Sequence, residues 1–596
     1  MNKNPELMRR TAGSVYVNIV TVLSFSAALY VLVLNVFTTS RVLCGDLEFN
    51  FYCGDIFMVN ILLIAIGLSC CIFLPRTGAY LNIREFLGKD RHLFWAKVII
   101  LSLIAIFGTL LILTSDYEQV YDSRSILEAA EGIRTGDHSS FSHLGYLDIY
   151  PHLNGLVIFY YMISLVAGDH LETCILFINL LTLLLLYREL SAIGKRLGLG
   201  PIGQLLVLLA GLIFLPAFLY VLIVYGNIES IAFLALTVRL LIDLMRTDEK
   251  RKCILYGILS VFCAGLACIF KQNVFVMLVA VCIWLIFRSI SSGRYLRMLP
   301  VAGIIVAMAL SSIIPGRILY GLSGYKTQGT NYMSYLAMGA SEDTQNFAGG
   351  YNGYNAFSFA EADGDKKAQG EIAKKLYKEK IDGFISDPSY MINFMTRKQV
   401  HQWSDPIYRA NRSIQVMKEG PDNSLFSHML QDRFSTYVQS ICFEPFQLMI
   451  WSGIVIFLWI NCKRRDGKLL DSLVFPLMFL GGFIFHTFWE AKSPYAYPYF
   501  IMLFPVAITG LADLGKKTGK LRSELRKVDL KKTTFSWSFR FTMAAVAVIL
   551  LLAAVAGLSS MRVQLKDDEA QYKKYALTGV YSQADDDQAD SSSGSS

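Results

Sequence analysis

The chain has 596 residues, of which 54% are apolar and only 17% are charged, whereas about 25% of residues are charged in an average soluble domain. Uncharged apolar runs of roughly 17–24 residues recur along most of the chain, and each is long enough to cross a bilayer. These features exclude a soluble enzyme, a disordered protein and a disulfide-rich secreted module. They predict an all-α polytopic membrane protein, whose net charge of +8 must be assigned to particular loops.

We expect about 13 membrane spans. A further apolar stretch, 151–167, is short for a span and contains Asn154. The first span follows two arginines and lacks a small-residue cleavage site, so it is expected to be an anchor. In chain order, the candidate spans are 14–37, 56–75, 96–114, 172–187, 202–223, 227–245, 253–270, 273–289, 299–319, 444–461, 470–488, 498–513 and 539–560.

Lysine and arginine in short loops orient a membrane protein with its basic side in the cytoplasm. If 151–167 enters the membrane and returns, seven loops on one side hold 31 of the 55 basic residues. If 151–167 crossed instead, the later basic clusters would face outward. The count therefore favours a re-entrant or juxtamembrane helix, and non-spanning backbone at membrane depth must line a cavity or be buried in protein. The charge marks sidedness and gives no indication of nucleic acid.

The apolar runs, the loops and the composition divide the chain into six regions. Residues 320–443 form a mostly helical extracytoplasmic domain, in which Ser386-Asp387-Pro388 has the capping residue and proline of a helix start. Cys44 and Cys53 share the first external loop, and whether they form a disulfide is left open. The regions are additional N-terminal spans 1–95, a core 96–319 with first loop 115–171, the domain 320–443, core spans 444–513, a basic loop and last span 514–566, and a disordered acidic tail 567–596.

The loop after the third span is acidic, with seven carboxylates and two arginines between residues 115 and 150. An outer loop can be acidic simply because basic residues are kept out of it. Asp116 and Asp122 differ from the rest because they lie at a helix exit, where a side chain can face an interfacial cleft. Carboxylates next to a bilayer are either solvated or functional. The sequence therefore makes these two residues the catalytic candidates.

A second polar cluster lies in the external loop after the eleventh span. Glu490 and Lys492 occur there among aromatic residues, including Tyr495. The aromatic residues alone fit a membrane-interface belt, but a carboxylate and an ammonium on one turn could bind a sugar or a lipid phosphate. Lys271, in an abrupt external turn, also suits an anionic headgroup. No nucleotide-binding motif occurs in the chain, which indicates that ATP does not drive the activity.

These segments resemble the GT-C superfamily of integral-membrane glycosyltransferases, and within it the bacterial protein-O-mannosyltransferase-like group. The resemblance is carried by Asp122-Ser123 ahead of an Ala-rich helix, by Gly-Tyr-Leu-Asp-Ile-Tyr-Pro-His at 145–152, and by Trp-Glu-Ala-Lys-Ser-Pro-Tyr at 489–495. It covers roughly residues 95–515. It implies a GT-C-like bundle, a polyprenyl-phosphate sugar as donor, and inverting transfer on the outer face.

By this resemblance, Asp122 matches the catalytic aspartate of the first loop, with Asp116 as a neighbour. Pro494 stands where the family usually has arginine, so Lys492 is expected to serve the phosphate. Ser123 replaces the second acidic residue of the eukaryotic mannosyltransferases, which puts protein hydroxyls as acceptors in doubt. The expected substrate-binding residues are Asp148, Tyr150, His152, Lys271, Glu490, Lys492 and Tyr495.

The sequence therefore predicts a hexosyl- or N-acetylhexosaminyltransferase of the cell membrane, with its active site on the extracytoplasmic face. The acceptor would be a hydroxyl of a wall polysaccharide, teichoic acid or glycolipid, and a carboxylate would act as general base. A lipid-linked glycan transporter or flippase is the alternative, and a polymerase or phosphoglycerol-type transferase is a third. The sugar, the acceptor, the oligomeric state and a divalent metal remain open.

Overall fold

The computed structural model describes residues 5–42, 49–115, 117–343, 346–411, 433–525 and 537–578, and this part of the chain is almost entirely helical. Up to residue 323 the α-helices are α1 (Pro5–Phe37), α2 (Phe57–Phe73), α3 (Gly78–Leu87), α4 (Asp90–Thr114), α5 (Tyr121–Thr135), α6 (Tyr146–Ile149), α7 (Asn154–Ala167), α8 (Leu171–Leu197), α9 (Pro201–Ile213), α10 (Leu215–Leu219), α11 (Asn227–Arg246), α12 (Lys250–Phe270), α13 (Val274–Ser292) and α14 (Leu299–Ser323). After it they are α15 (Tyr332–Gly339), α16 (Tyr354–Glu361), α17 (Lys366–Ser386), α18 (Pro388–Trp403), α19 (Arg433–Asn461), α20 (Gly467–Ser472), α21 (Val474–Phe488), α22 (Ser493–Met502), α23 (Phe504–Leu525), α24 (Trp537–Ser560) and α25 (Arg562–Thr578).

Within the described residues, ten helices are long and apolar enough to cross a membrane, or twelve if each of two bent helix pairs forms one span. Between them they include every predicted span except 227–245, which corresponds to α11. That helix is long enough to cross a membrane but too polar to be counted, because its 20 residues include Glu229, Arg239, Asp243 and Arg246. The chain is therefore an all-α polytopic membrane protein.

The charged side chains in the second half of α11 are paired inside the helix bundle. The helix packs against α8, α12 and α13. Arg239 binds Glu189 of α8, and its Nη1 lies 3.0 Å from Asp243 Oδ2, which makes an ion pair along the helix. Arg196 of α8 also binds Asp243. A polar helix can occupy the centre of the bundle because its neighbours neutralise it.

The segment 151–167 forms a separate helix before α8. A single turn at Pro151–Leu153 leads into α7, which packs against α5 and α14. Gly168 ends it with φ 54° and ψ −128°, a conformation that a side chain would disfavour. The structure thus confirms a short helix at this place, and its failure to cross the membrane stays a prediction.

A two-stranded antiparallel hairpin follows α1, and the sequence analysis did not anticipate it. β1 (Thr38–Val42) pairs with β2 (Asn50–Gly54), with Thr38 opposite Gly54 and Val42 opposite Asn50. Cys44 lies outside the described residues, so its pairing with Cys53 is untested.

The predicted disorder of 567–596 is wrong for its first part, because α25 continues to Thr578. This helix packs against β2 and buries Tyr572 and Tyr575 there. Its Asp568 accepts a hydrogen bond of 2.8 Å from the backbone N–H of Tyr52. Aromatic burial against the hairpin outweighs the acidic composition, and residues 579–596 lie outside the described part.

The segment 320–443 is mostly helical where it is described, as expected. Asp387 accepts a 2.9 Å hydrogen bond from the backbone N–H of Tyr390, which confirms the predicted helix start at Pro388. Residues 412–432 are not described, and α19 runs through the expected boundary between 443 and 444. α15 and α18 pack against α21, and α18 also packs against α22. Tyr335 of α15 and Asn355 of α16 line the cavity described next.

Candidate functional site

A cavity of about 480 Å³ opens where loops at one end of the bundle meet the segment 320–411. Loops that are far apart in sequence contribute its walls, because the helices that precede them end at one side of the bundle. Seven predicted site residues line this single cavity: Asp122, Tyr150, His152, Lys271, Glu490, Lys492 and Tyr495.

Asp122 lies in the first turn of α5, with its carboxylate exposed to the cavity. The helix N-terminus favours a negative charge at this position. Tyr146 donates a hydrogen bond of 2.8 Å to Asp122 Oδ1, and Tyr225 donates one of 3.0 Å to Oδ2. Burial, and next the Asp122 charge, raise the pKa of the Tyr146 phenol, so it keeps its proton and remains a donor. The carboxylate is therefore held in one orientation by two phenols.

Lys271, in the turn between α12 and α13, lines the same cavity and contacts Tyr225. Its Nζ lies 3.6 Å from the centre of the Tyr225 ring and donates a 2.5 Å hydrogen bond to Asn227 Oδ1. Gly226 lets the two turns meet: its φ is +68°, and a Cβ there would approach Phe270 O to 2.4 Å. Burial lowers the pKa of Lys271 to about 7, although Asp122 opposes the shift.

Glu490 and Lys492 lie in the turn between α21 and α22. Tyr495 donates a 3.1 Å hydrogen bond to Glu490 Oε1. Burial raises the pKa of Glu490 to about 7, and the Lys492 charge is the largest influence against this shift. Lys398, whose charge is influenced by Glu490, is also buried. Its ammonium donates a hydrogen bond to Gly339 O, and burial lowers the pKa of Lys398 to about 7. The environment of Glu490 thus combines several cations with little water.

The segment after α14 supplies two further groups, which the sequence analysis did not name. Tyr351 lies with its hydroxyl 3.1 Å from that of Tyr150. Arg409 follows α18 in a left-handed conformation, with φ 54°. Asp405 accepts a 2.8 Å hydrogen bond from the Arg409 backbone N–H, and the guanidinium lies 4.4 Å from the ring centre of Phe347.

One predicted residue, Asp148, is not among the described residues that line the cavity. Asp148 is 3% exposed, and its carboxylate accepts backbone hydrogen bonds from Leu144 at 3.1 Å and Gln328 at 2.8 Å. Its expected role in substrate binding is therefore replaced by a structural one, in which it ties the first loop to the segment after α14. Asp116 lies outside the described residues.

The lining combines few charges with many phenols. Lys271, Lys492 and Arg409 supply three cations, and Asp122 and Glu490 supply two carboxyl groups. The nine tyrosines of the wall are Tyr117, Tyr121, Tyr146, Tyr150, Tyr220, Tyr225, Tyr335, Tyr351 and Tyr495. Such a surface offers aromatic faces to apolar or sugar groups, hydrogen bonds to hydroxyls, and cations to a phosphate. Within the described residues, no three or more His, Cys, Asp or Glu side chains are grouped to hold a metal.

Tyr146 lies in the quoted motif 145–152, and Tyr225 and Asn227 lie at the short turn between two predicted spans. Their signal was proximity in sequence to charged candidates, but tyrosine at a membrane interface is too common to single out. Arg409 and Tyr351 gave no such signal, because only the folded segment brings them to the cavity.

We found no match to this chain among known protein families, curated proteins or solved structures. The function must therefore be inferred from the chemistry of the cavity.

Proposed function

We propose that this chain is a membrane glycosyltransferase that moves a sugar from a polyprenyl-phosphate carrier to an extracytoplasmic hydroxyl. The observation that carries the proposal is one cavity that holds an oriented carboxylate, three cations and a wall of tyrosines. The proposal includes a GT-C-like bundle, in which the polar α11 is counted as a thirteenth span.

In the proposed reaction, Asp122 accepts the proton of the acceptor hydroxyl as its oxygen forms a bond to the anomeric carbon. The bond between that carbon and the phosphate oxygen breaks, and the electron pair leaves with the polyprenyl phosphate. The hydrogen bonds from Tyr146 and Tyr225 stabilise the ionised carboxylate and aim it. Attack opposite the leaving group inverts the anomeric centre.

The departing phosphate gains negative charge, which cations near the leaving oxygen stabilise. Lys271, Lys492 and Arg409 are the candidates for this role. The tyrosine faces suit the sugar ring and the first isoprene units. Glu490, with its raised pKa of about 7, is suited to hydrogen-bond the sugar in its neutral form.

A transporter would need ionisable groups along a pathway through the membrane. The charges that α11 carries near its other end, Arg239 and Asp243, are instead bound to α8 and to each other. This pairing favours the enzyme over the flippase.

The test measures sugar transfer from labelled polyprenyl-phosphate hexoses and N-acetylhexosamines by membranes that contain the wild type or Asp122→Asn. Loss of a general base reduces the rate about 10²–10⁴-fold. Full turnover by Asp122→Asn at normal expression would contradict the assignment. Uptake of labelled lipid by vesicles, without a glycosyl product, would identify a flippase instead.

A further inference from the structure

A second cavity, of about 550 Å³, lies at the opposite end of the helices from the candidate site. Asn227 lines the first cavity and Arg246 lines the second, and these residues are the two ends of α11. A 20-residue helix spans about 30 Å, which is the thickness of a bilayer core. The second cavity thus lies on the side that the basic loops predict to be cytoplasmic.

A buried carboxylate organises two arginines at this cavity. Asp471 is 1% exposed. Its Oδ2 accepts from Arg246 Nε at 3.0 Å and Nη2 at 2.6 Å, and its Oδ1 accepts from Arg288 Nε at 2.8 Å. One carboxylate holds two guanidinium groups, so a positive charge remains. Lys468 adds another, whereas Arg464 is neutralised by Asp466.

The outer donors of this cluster are unused. In the described part of the chain, Arg246 Nη1, both Nη atoms of Arg288 and Lys468 Nζ have no hydrogen-bond acceptor. A Cβ at Gly467 would come within 2.8 Å of Arg288 Nη2, so this glycine keeps the space beside the guanidinium open.

Neighbouring arginines show what a purely structural role looks like at these helix ends. Arg294 donates to Met245 O at 2.9 Å, and Arg297 donates to Leu244 O at 2.9 Å and to Thr247 O at 2.5 Å. They satisfy the last carbonyls of α11, as basic residues at a helix C-terminus commonly do. Arg246 and Arg288 make no such bonds and present their donors to the cavity.

We propose that this basic cleft, lined by Arg246, Arg288 and Lys468, binds a phosphate group. A guanidinium group can donate two parallel hydrogen bonds to two oxygens of one phosphate. Asp471 holds the guanidinium groups of Arg246 and Arg288 in place before a ligand binds. The phosphate belongs to an anionic lipid headgroup or to a free ion, and both share this chemistry. Basic pockets between transmembrane helices on the cytoplasmic side are suited to such headgroups.

The test compares the purified full chain with the double variant Arg288→Lys/Lys468→Gln. Lysine at 288 keeps a cation beside Asp471 but removes the outer guanidinium donors. Lys250→Gln is the matched control, because it removes an exposed lysine from the start of α12, outside the cleft. Native mass spectrometry measures adducts with phosphatidylglycerol and with uncharged phosphatidylcholine, and thermal unfolding measures stabilisation by inorganic phosphate.

We expect wild type and Lys250→Gln to retain phosphatidylglycerol at least fivefold more than the double variant, with no such difference for phosphatidylcholine. If inorganic phosphate raises the unfolding temperature of the protein and also displaces the lipid, a free phosphate ion is identified as a ligand. Lipid retention without that effect would identify the headgroup. Equal retention by the double variant and wild type, together with no response to phosphate, would overturn the proposal.

Discussion

Replacing Lys271 by methionine is expected to stabilise the folded protein while it weakens binding of an anionic lipid-linked sugar. The reason is that Lys271 is held in a partly buried position, where desolvation lowers its pKa from 10.5 to about 7. At about 1.4 kcal/mol per pH unit, this difference costs roughly 4 kcal/mol of folding stability at pH 7. Methionine keeps the packing of the side chain without the charge.

Two contacts are lost with the ammonium. The hydrogen bond to Asn227 contributes about 1 kcal/mol, and the contact with the Tyr225 ring, at 3.6 Å from its centre, contributes about 0.5–1 kcal/mol. The net expected gain for Lys271→Met at pH 7 is therefore about 2 kcal/mol.

The gain must depend on pH in a defined direction. The unfolded chain binds more protons than the folded chain between pH 7 and about 10, so the wild-type stability rises with pH across this window. The methionine variant lacks this contribution, and the difference between the two proteins is expected to shrink toward high pH. Thermal unfolding in detergent from pH 7 to 9.5 measures it, with exposed Lys250→Met as the control.

A variant less stable than wild type at pH 7, or a difference that does not change with pH, would refute this reasoning. Either result would mean that the contacts of the ammonium outweigh the cost of its burial. The Lys250→Met control should remain close to wild type throughout, because its ammonium is solvated in the folded and the unfolded chain.

Three further predictions concern neighbouring groups. Tyr146→Phe and Tyr225→Phe each remove one hydrogen bond to Asp122 and should lower the rate of sugar transfer about tenfold, less than Asp122→Asn, in a kinetic assay. Binding of a phosphodiester donor should weaken from pH 6 to 8, because Glu490, with a pKa of about 7, becomes negative; Glu490→Gln should reduce this dependence in a binding titration. Asp148→Ala leaves two backbone N–H groups unpaired and should cost about 2–4 kcal/mol, measured by thermal unfolding.

The sequence predicted the membrane class well, because apolar length is a direct physical requirement of a bilayer. It also predicted the start of α18, whose signal is local: Asp387 followed by Pro388. It missed the hairpin β1–β2 because that pairing is stabilised from outside, by α25 some 500 residues later in the chain.

For the candidate site, too, local signals were recognised and contacts made only in the folded chain were missed. Asp122, Lys271 and Glu490 were identified because charges next to apolar spans are rare. Asp148 was misassigned, since composition cannot distinguish a carboxylate that faces a cavity from one that binds backbone amides. Arg409 was missed because its approach to the cavity depends on the turn after α18, where Tyr408 and Arg409 both have positive φ.

The polarity of α11 has a consequence for the biogenesis of this protein. An arginine or aspartate costs about 2.5–3.5 kcal/mol at the centre of a lone helix during insertion by the translocon, and less toward the end, where Arg239 and Asp243 lie. Arg239 and Asp243 would therefore make the insertion of α11 into the lipid unfavourable if this helix inserted alone. Its partners Glu189 and Arg196 belong to α8, which is synthesised earlier. We expect α11 to leave the translocon only together with α8. Glu189→Gln should therefore impair membrane integration of the nascent chain, at a stage before the candidate site has formed.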